Sequence, residues 1–302
     1  MPSMSVTVRV PATSANLGPG FDCLGLALDL WATITLSSDA PASEGTRTGR
    51  RPPEPMARMA LAAARAAFEK AGARVPTGLY ARYQGNIPIA RGLGASAVAR
   101  VGGLVAANKL AGEPLDRDAL LTLGTELEGH ADNVAPALFG GFQVCVTQGD
   151  RVLHTAAPLP SGLSAVLLVP ELRMPTRESR QLLPASLSRA DAVHNIGRAA
   201  LLIAALAGGR FDLLDAATDD RLHQPARSQL FPAMFDIFQA AKAGGAHCAY
   251  LSGGGSTICA LATANEQQIA EAMLEAAGAR ETPGRTIVTR PTEHGAEVVE
   301  AS

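Results

Sequence analysis

The run Asn86-Ile87-Pro88-Ile89-Ala90-Arg91-Gly92-Leu93-Gly94-Ala95-Ser96-Ala97 carries the chemistry that is easiest to read. A short extended stretch enters a glycine turn, and an alanine-rich helix starts near Ala95. Glycines at such a junction let the backbone approach a ligand with no Cβ in the way. The helix start then offers unpaired N–H groups and the positive end of its dipole, which suits a phosphate. The turn is not a Walker A loop, because the lysine that would reach the terminal phosphates is missing. It is not the dinucleotide fingerprint either, since the third glycine is absent. The full pattern P-x-x-x-G-L-G-x-S-A over 88–97 is far more restrictive than a bare G-x-G. Two further glycine-bearing segments, 11–25 and 251–257, lie far away in sequence, and three such segments point to a nucleotide-handling enzyme.

Holding those segments together takes a framework of strands and helices. Alternating β-branched and polar residues predict a strand over 5–10, with others over 33–36, 79–84, 142–146, 163–169, 246–251, 257–261 and 286–290. Helices are predicted over 56–71, closed by Gly72, over 95–110, and over 116–128 with Asp116 as N-cap. Further helices are expected over 190–207, 231–243 and 266–277. Strands and helices interleave without regular β-α-β repetition, which favours α+β over a doubly wound sheet. The turn-rich stretch 158–162 marks a boundary between domains 1–160 and 161–302.

Composition bounds the partners. The chain has 302 residues, a net charge of −2 and 47% hydrophobic residues, enough for one large core or two modest ones. Basic residues are scattered apart from a small cluster at 47–51, which reads as a solvated loop, so no nucleic-acid or membrane partner is expected. Cys23, Cys145, Cys248 and Cys259 form no C-x-x-C pair, so buried free thiols and a cytoplasmic location are expected. No basic stretch followed by an apolar run opens the chain, and no uninterrupted apolar run reaches the roughly 18 residues of a membrane span.

With these residues on the page, the sequence resembles the GHMP kinase superfamily. Residues 88–97 look like its phosphate-binding loop, and Leu251-Ser252-Gly253-Gly254-Gly255-Ser256-Thr257 like its third motif. Within that group three segments resemble those of homoserine kinases. They are the opening Pro11-Ala12-Thr13-Ser14-Ala15-Asn16-Leu17-Gly18-Pro19-Gly20-Phe21-Asp22, then Glu128-Gly129-His130-Ala131-Asp132-Asn133-Val134-Ala135-Pro136, and Pro225-Ala226-Arg227-Ser228. The likeness runs from about residue 5 to residue 290. It implies a two-domain α+β fold, with a ribosomal-protein-S5-like N-terminal half, a ferredoxin-like C-terminal half and the substrates in the cleft between them.

The resemblance also implies roles. ATP would lie on the loop Pro88 to Ala97, with Mg²⁺ held by the Ser96 hydroxyl and the Glu128 carboxylate, hard oxygens of the kind Mg²⁺ prefers. L-homoserine would be bound by Asn16, Asp22, His130, Thr176, Arg180 and Arg227, with Asp22 on the ammonium and the two arginines on the carboxylate. Thr176 and Arg180 are four apart at a helix start, so both can face one pocket. Asn133 aligns with an aspartate that other members use as a base, and an amide cannot accept a proton usefully at neutral pH. Asn133, Ser96 and Glu128 are therefore the expected catalytic set, with the hydroxyl proton passing to a γ-phosphate oxygen. The other histidines, His154, His194, His223, His247 and His294, are expected to be structural or exposed.

The match has gaps. Ala95 stands where many relatives have a serine, and Ser256 where a proline is common. The asparagine that contacts adenine in homoserine kinases is not found near Glu54-Pro55-Met56. Homodimers are common in the family. Other readings are a kinase for another small hydroxy compound, a metabolite sensor without catalysis, and an RNA-binding protein. Asp22 speaks against the first, Ser96 with Glu128 against the second, and the acidic balance against the third.

Overall fold

In a computed structural model, residues 4–38 and 54–302 are described, so the basic cluster at 47–51 lies outside the described residues. Strand β1 (Ser5–Ala15) begins with Val6, Val8 and Val10 buried and the polar residues between them partly exposed. From Pro11 onward both faces are covered, because helices close over the strand end that leads to the site. Strand β2 (Leu24–Ser37) pairs antiparallel with β1 from Ser5↔Ser37 to Ala15↔Gly25, and the register shifts between Pro11 and Ala12. β3 (Tyr80–Gly85) and β4 (Phe142–Gln148) also pair with β2, and β5 (Arg151–Ala157) pairs with β4.

Helices α1 (Pro55–Lys70), α2 (Ala95–Leu110) and α3 (Arg117–Glu128) cover this sheet. α1 and α2 approach closely because Gly103 lies against the backbone of Ala60, where a Cβ would fall 2.1 Å from the carbonyl oxygen. The Asp116 carboxylate caps α3 by accepting from Ala119 N at 2.8 Å, and Gly129 ends the helix at φ 90°. α4 (Val134–Phe139) follows directly.

The second sheet is antiparallel, in the order β7-β8-β6-β9: β7 (Cys248–Leu251), β8 (Ile258–Ala262), β6 (Ser164–Pro170), β9 (Gly284–Thr289). With the intervening helices, this is the ferredoxin-like split of β-α-β units. Both faces of β6 are buried. Val166 and Leu168 join a core with Phe231, Met234 and Ile237, while Ala165 and Leu167 join the main core. That explains why this strand reads as an unbroken apolar run.

Between β6 and β7 come α5 (Thr176–Gln181), α6 (Arg189–Ala207), α7 (Leu214–Ala217), α8 (Gln224–Arg227) and α9 (Met234–Ala243). α10 (Glu266–Ala279) links β8 to β9. α6 is long and apolar enough, by length and composition, to cross a membrane. It also carries Arg189, Asp191 and Arg198, and its Asn195 hydrogen-bonds to Asp220 and to Arg221 N.

The strands β5 and β10 (Glu297–Ala301) have no counterpart in the sequence reading. β10 pairs with β1 at the edge of the first sheet. The chain's end therefore returns to the first half, and a single cut at residue 160 does not separate the two sheets.

Candidate functional site

The glycine turn is shaped as its residues require. Gly92 and Gly94 have φ of 77° and 67°, in the left-handed region where a side chain is strained. Gly94 is the N-cap of α2 and no side chain caps that helix, so its first N–H groups face the turn uncapped. A Cβ on Gly92 would lie 2.1 Å from Ser252 O, and one on Gly94 would lie 1.9 Å from Thr13 Oγ1.

The three distant glycine segments meet here. Ser252 Oγ donates to Gly92 O at 2.7 Å, Thr257 N donates to Arg91 O at 3.0 Å, and Thr13 N to Leu93 O at 3.3 Å. Arg91 fastens the turn to the second sheet. Its guanidinium donates to Pro170 O at 2.8 Å and Glu171 O at 2.9 Å. Its side chain thus serves the joint between the halves. Ser256 donates its hydroxyl to Leu172 O at 2.5 Å.

Ser96, in the first turn of α2, donates its hydroxyl to Glu128 at the end of α3. The other Glu128 oxygen is ion-paired with Arg100, which lies one turn beyond Ser96 on the same helix face. A hydroxyl and a carboxylate, both hard donors, therefore meet beside an uncapped helix start, and this donor set fits Mg²⁺. The i, i+4 spacing of Ser96 and Arg100 is the signal by which Arg100 could have been found.

Asn133 has both ends of its amide engaged. Its Oδ1 accepts from Thr13 Oγ1 at 2.7 Å, and its Nδ2 donates to Asp132 at 3.2 Å. Asp132 is buried and lies 2.5 Å from His130 Nδ1. One carboxylate or imidazole atom from each of Asp22, His130 and Asp132 falls within 4.8 Å of the others. This anionic pocket can take a small cation, an ammonium included.

At the same place Arg180 clasps Asp22, through Nη1 to Oδ2 at 3.0 Å and Nη2 to Oδ1 at 2.5 Å. The two groups read as holding opposite ends of a ligand thus pair with each other. Burial pulls the Arg180 pKa down, and the Asp22 hydrogen bond and charge outweigh it and raise the value overall. Asn16, at φ 69°, accepts from Asp22 N at 3.0 Å and donates to Gly253 O at 2.9 Å. Arg227 is fully enclosed and donates to the same Gly253 O at 2.9 Å. Burial, then the Arg180 charge, lowers its pKa to about 10, which leaves it charged at neutral pH. The Arg180 and Arg227 guanidinium carbons lie 5.2 and 5.5 Å from the Phe21 ring centroid, within cation–π range.

Asn16, Asp22, His130, Arg180 and Arg227 are therefore gathered with the glycine turn. Thr176 opens α5, and its side chain lies outside the described residues. His223, expected to be structural or exposed, is fully buried, and its Nδ1 lies 2.9 Å from Arg227 Nη1. Two clefts lie outside this cluster. One of about 270 Å³ is lined by Pro55, Arg58, Met59, Ala63, Arg100 and Leu127. Another of about 470 Å³ is lined by Leu159, Ser161, Leu163, Arg290 and Glu293 and shares no residue with the site.

Comparison with known proteins gives the family. The family model described as GHMP kinases N terminal domain matches residues 58–141, and that described as GHMP kinases C terminal matches residues 202–280. The chain belongs to the GHMP kinases. Among curated proteins it is 42% identical over 297 residues to the homoserine kinase of Moorella thermoacetica, covering 97% of this chain and 99% of that protein. It is 48% identical over 241 residues to the homoserine kinase of Symbiobacterium thermophilum, covering 75% and 74%. The crystal structure of homoserine kinase from Cytophaga hutchinsonii superposes with a TM-score of 0.84 at 30% identity, covering 98% of this chain and 97% of that one.

Proposed function

We infer that this chain transfers the γ-phosphoryl group of ATP to the side-chain hydroxyl of L-homoserine, giving O-phospho-L-homoserine on the route to threonine. The observation that carries the reading is contiguity. An uncapped helix start bearing Ser96, with Glu128 of α3 facing it, is joined through Thr13, Asn133, Asp132 and Gly253 to a charged pocket built from Asp22, Arg180 and Arg227.

A zwitterion fits that pocket by inserting into an existing ion pair. Its ammonium replaces the Arg180 guanidinium at Asp22, beside His130 and Asp132. Its carboxylate takes the place of Asp22 on Arg180 and meets Arg227. Asn16 holds the turn that carries Asp22. The uncapped N–H groups and backbone of Pro88 to Ala97 receive the phosphates. Ser96 and Glu128 would hold Mg²⁺, which would neutralise charge on the triphosphate. The apolar cleft beside Arg100 and Leu127 suits the adenine, in place of the missing asparagine contact.

No carboxylate is needed as a base. Asn133 is fixed by Thr13, and Asp132 faces His130. Alignment and electrostatics supply the rate, and the hydroxyl proton passes to a phosphate oxygen. The unpaired thiols, three of them buried, support a reducing compartment such as the cytoplasm. A coupled ADP-release assay with homoserine, serine, mevalonate and shikimate tests the assignment. Homoserine should be strongly preferred, and phosphorylation of mevalonate in its place overturns the reading.

A further inference from the structure

Arg227 has five N–H donors, and the structure shows where two of them go. Nη1 lies 2.9 Å from Gly253 O and 2.9 Å from His223 Nδ1. A guanidinium nitrogen can only donate, so His223 Nδ1 must be the acceptor. The other ring nitrogen agrees, because Nε2 lies 2.8 Å from Gly18 O, a carbonyl that can only accept. The proton is therefore on Nε2 and the lone pair on Nδ1, and the tautomer is fixed from both sides.

The ring itself is held firmly. His223 is fully buried and its centroid lies 5.5 Å from that of Phe21. Its backbone is anchored by Asp220, whose Oδ2 accepts from His223 N at 2.9 Å and from Gln224 N at 2.7 Å. Asn195 on α6 donates to the other Asp220 oxygen at 2.7 Å. Burial lowers the His223 pKa to about 4, which keeps the ring neutral and able to accept.

With both Nη1 protons committed, the edge formed by Nε and Nη2 remains for a ligand. Arg227 Nε is buried and has no hydrogen-bond partner among the described residues, a costly state for a charged donor unless something completes it. We propose that His223 is a positioning residue that, with Gly253 O, turns the Nε/Nη2 edge of Arg227 toward the substrate's carboxylate for side-on bidentate contact. This rests on the reading that Arg227 receives that carboxylate.

The test compares L-homoserine with 2-amino-1,4-butanediol, which keeps the ammonium and hydroxyl and lacks the carboxylate. In His223→Leu the KM for homoserine should rise about ten- to a hundredfold, the range expected for an unpaired buried donor. The KM values for ATP and for the amino diol should stay within about twofold, and kcat within about threefold. His223→Gln can keep the donor toward Gly18 but offers no acceptor at the Nδ1 position, so it should behave like His223→Leu. His223→Asn can place an acceptor there and should recover most of the loss. Should His223→Leu fail to fold, the contrast between the Gln and Asn variants carries the same decision. Equal effects on both acceptors, or equal behaviour of Gln and Asn, would show a merely structural role and overturn the proposal. Arg227→Met separates the two claims. If it leaves the preference for homoserine over the amino diol intact, the carboxylate reading itself is wrong.

Discussion

At the scale of single residues, the site is a set of charges held in waiting. Glu128 is shared between the Ser96 hydroxyl and Arg100, so removing its charge takes away the one anionic donor of the proposed metal pair. Glu128→Gln is expected to lower turnover by about a hundredfold or more, with a raised Mg²⁺ requirement, read from ADP release across a Mg²⁺ titration. Asp132 raises a different question, because it is a buried carboxylate beside the Asn133 amide. If transfer needs no protein base, Asp132→Asn retains more than about a thousandth of the wild-type kcat, and the pH–rate profile gains no new limb. A larger loss in folded protein would make Asp132 the base. Both predictions concern groups visible in the sequence. Their partners Arg100 and His130 could be paired with them only by helix spacing or by family likeness.

At the scale of elements, what matters is how closely backbones approach. The turn before α2 touches the turn between β7 and β8, with Ser252 O where a Cβ on Gly92 would go. Gly92→Ala adds both that clash and strain at φ 77°. It should destabilise the fold by about 1–3 kcal/mol and abolish nucleotide binding, as seen by thermal melting and ATP-analogue titration. Wild-type nucleotide affinity in that variant would argue against the turn as the phosphate site. Helices α1, α2, α3, α6, α9 and α10 are legible in the sequence because their apolar periodicity and caps are local. Strand β5 is not, since its residues 151–157 include Arg151 and His154 and its order comes from pairing with β4. β10 lies fully on the exposed edge, where no apolar alternation marks it. Its existence depends on β1.

At the scale of the whole molecule, the two halves are tied by Arg91 across Pro170 and Glu171 and by the fully enclosed group of Gly18, His223, Arg227 and Gly253. That enclosure has a pH consequence. His223 has a folded pKa near 4 against an ordinary value of 6.5, so between those values the unfolded chain holds more protons than the folded one. Stability from this group is intact above about pH 6.5 and is lost as pH falls toward 4. Urea unfolding at pH 7 and pH 5 should show the drop, and His223→Gln should show a smaller one. Equal pH dependence in both proteins would remove His223 as its source.

The sequence alone determined the family, the α+β class and the place of the glycine turn before a helix, because motif spacing and helix periodicity are written locally. Tertiary structure decided which charges face each other. Asp22 and Arg180 are 158 residues apart and form one ion pair, and Gly18 and His223, 205 apart, share a hydrogen bond. Pairings of that kind follow from how two sheets pack against each other. Packing depends on the summed contacts of the whole chain, which no local pattern records.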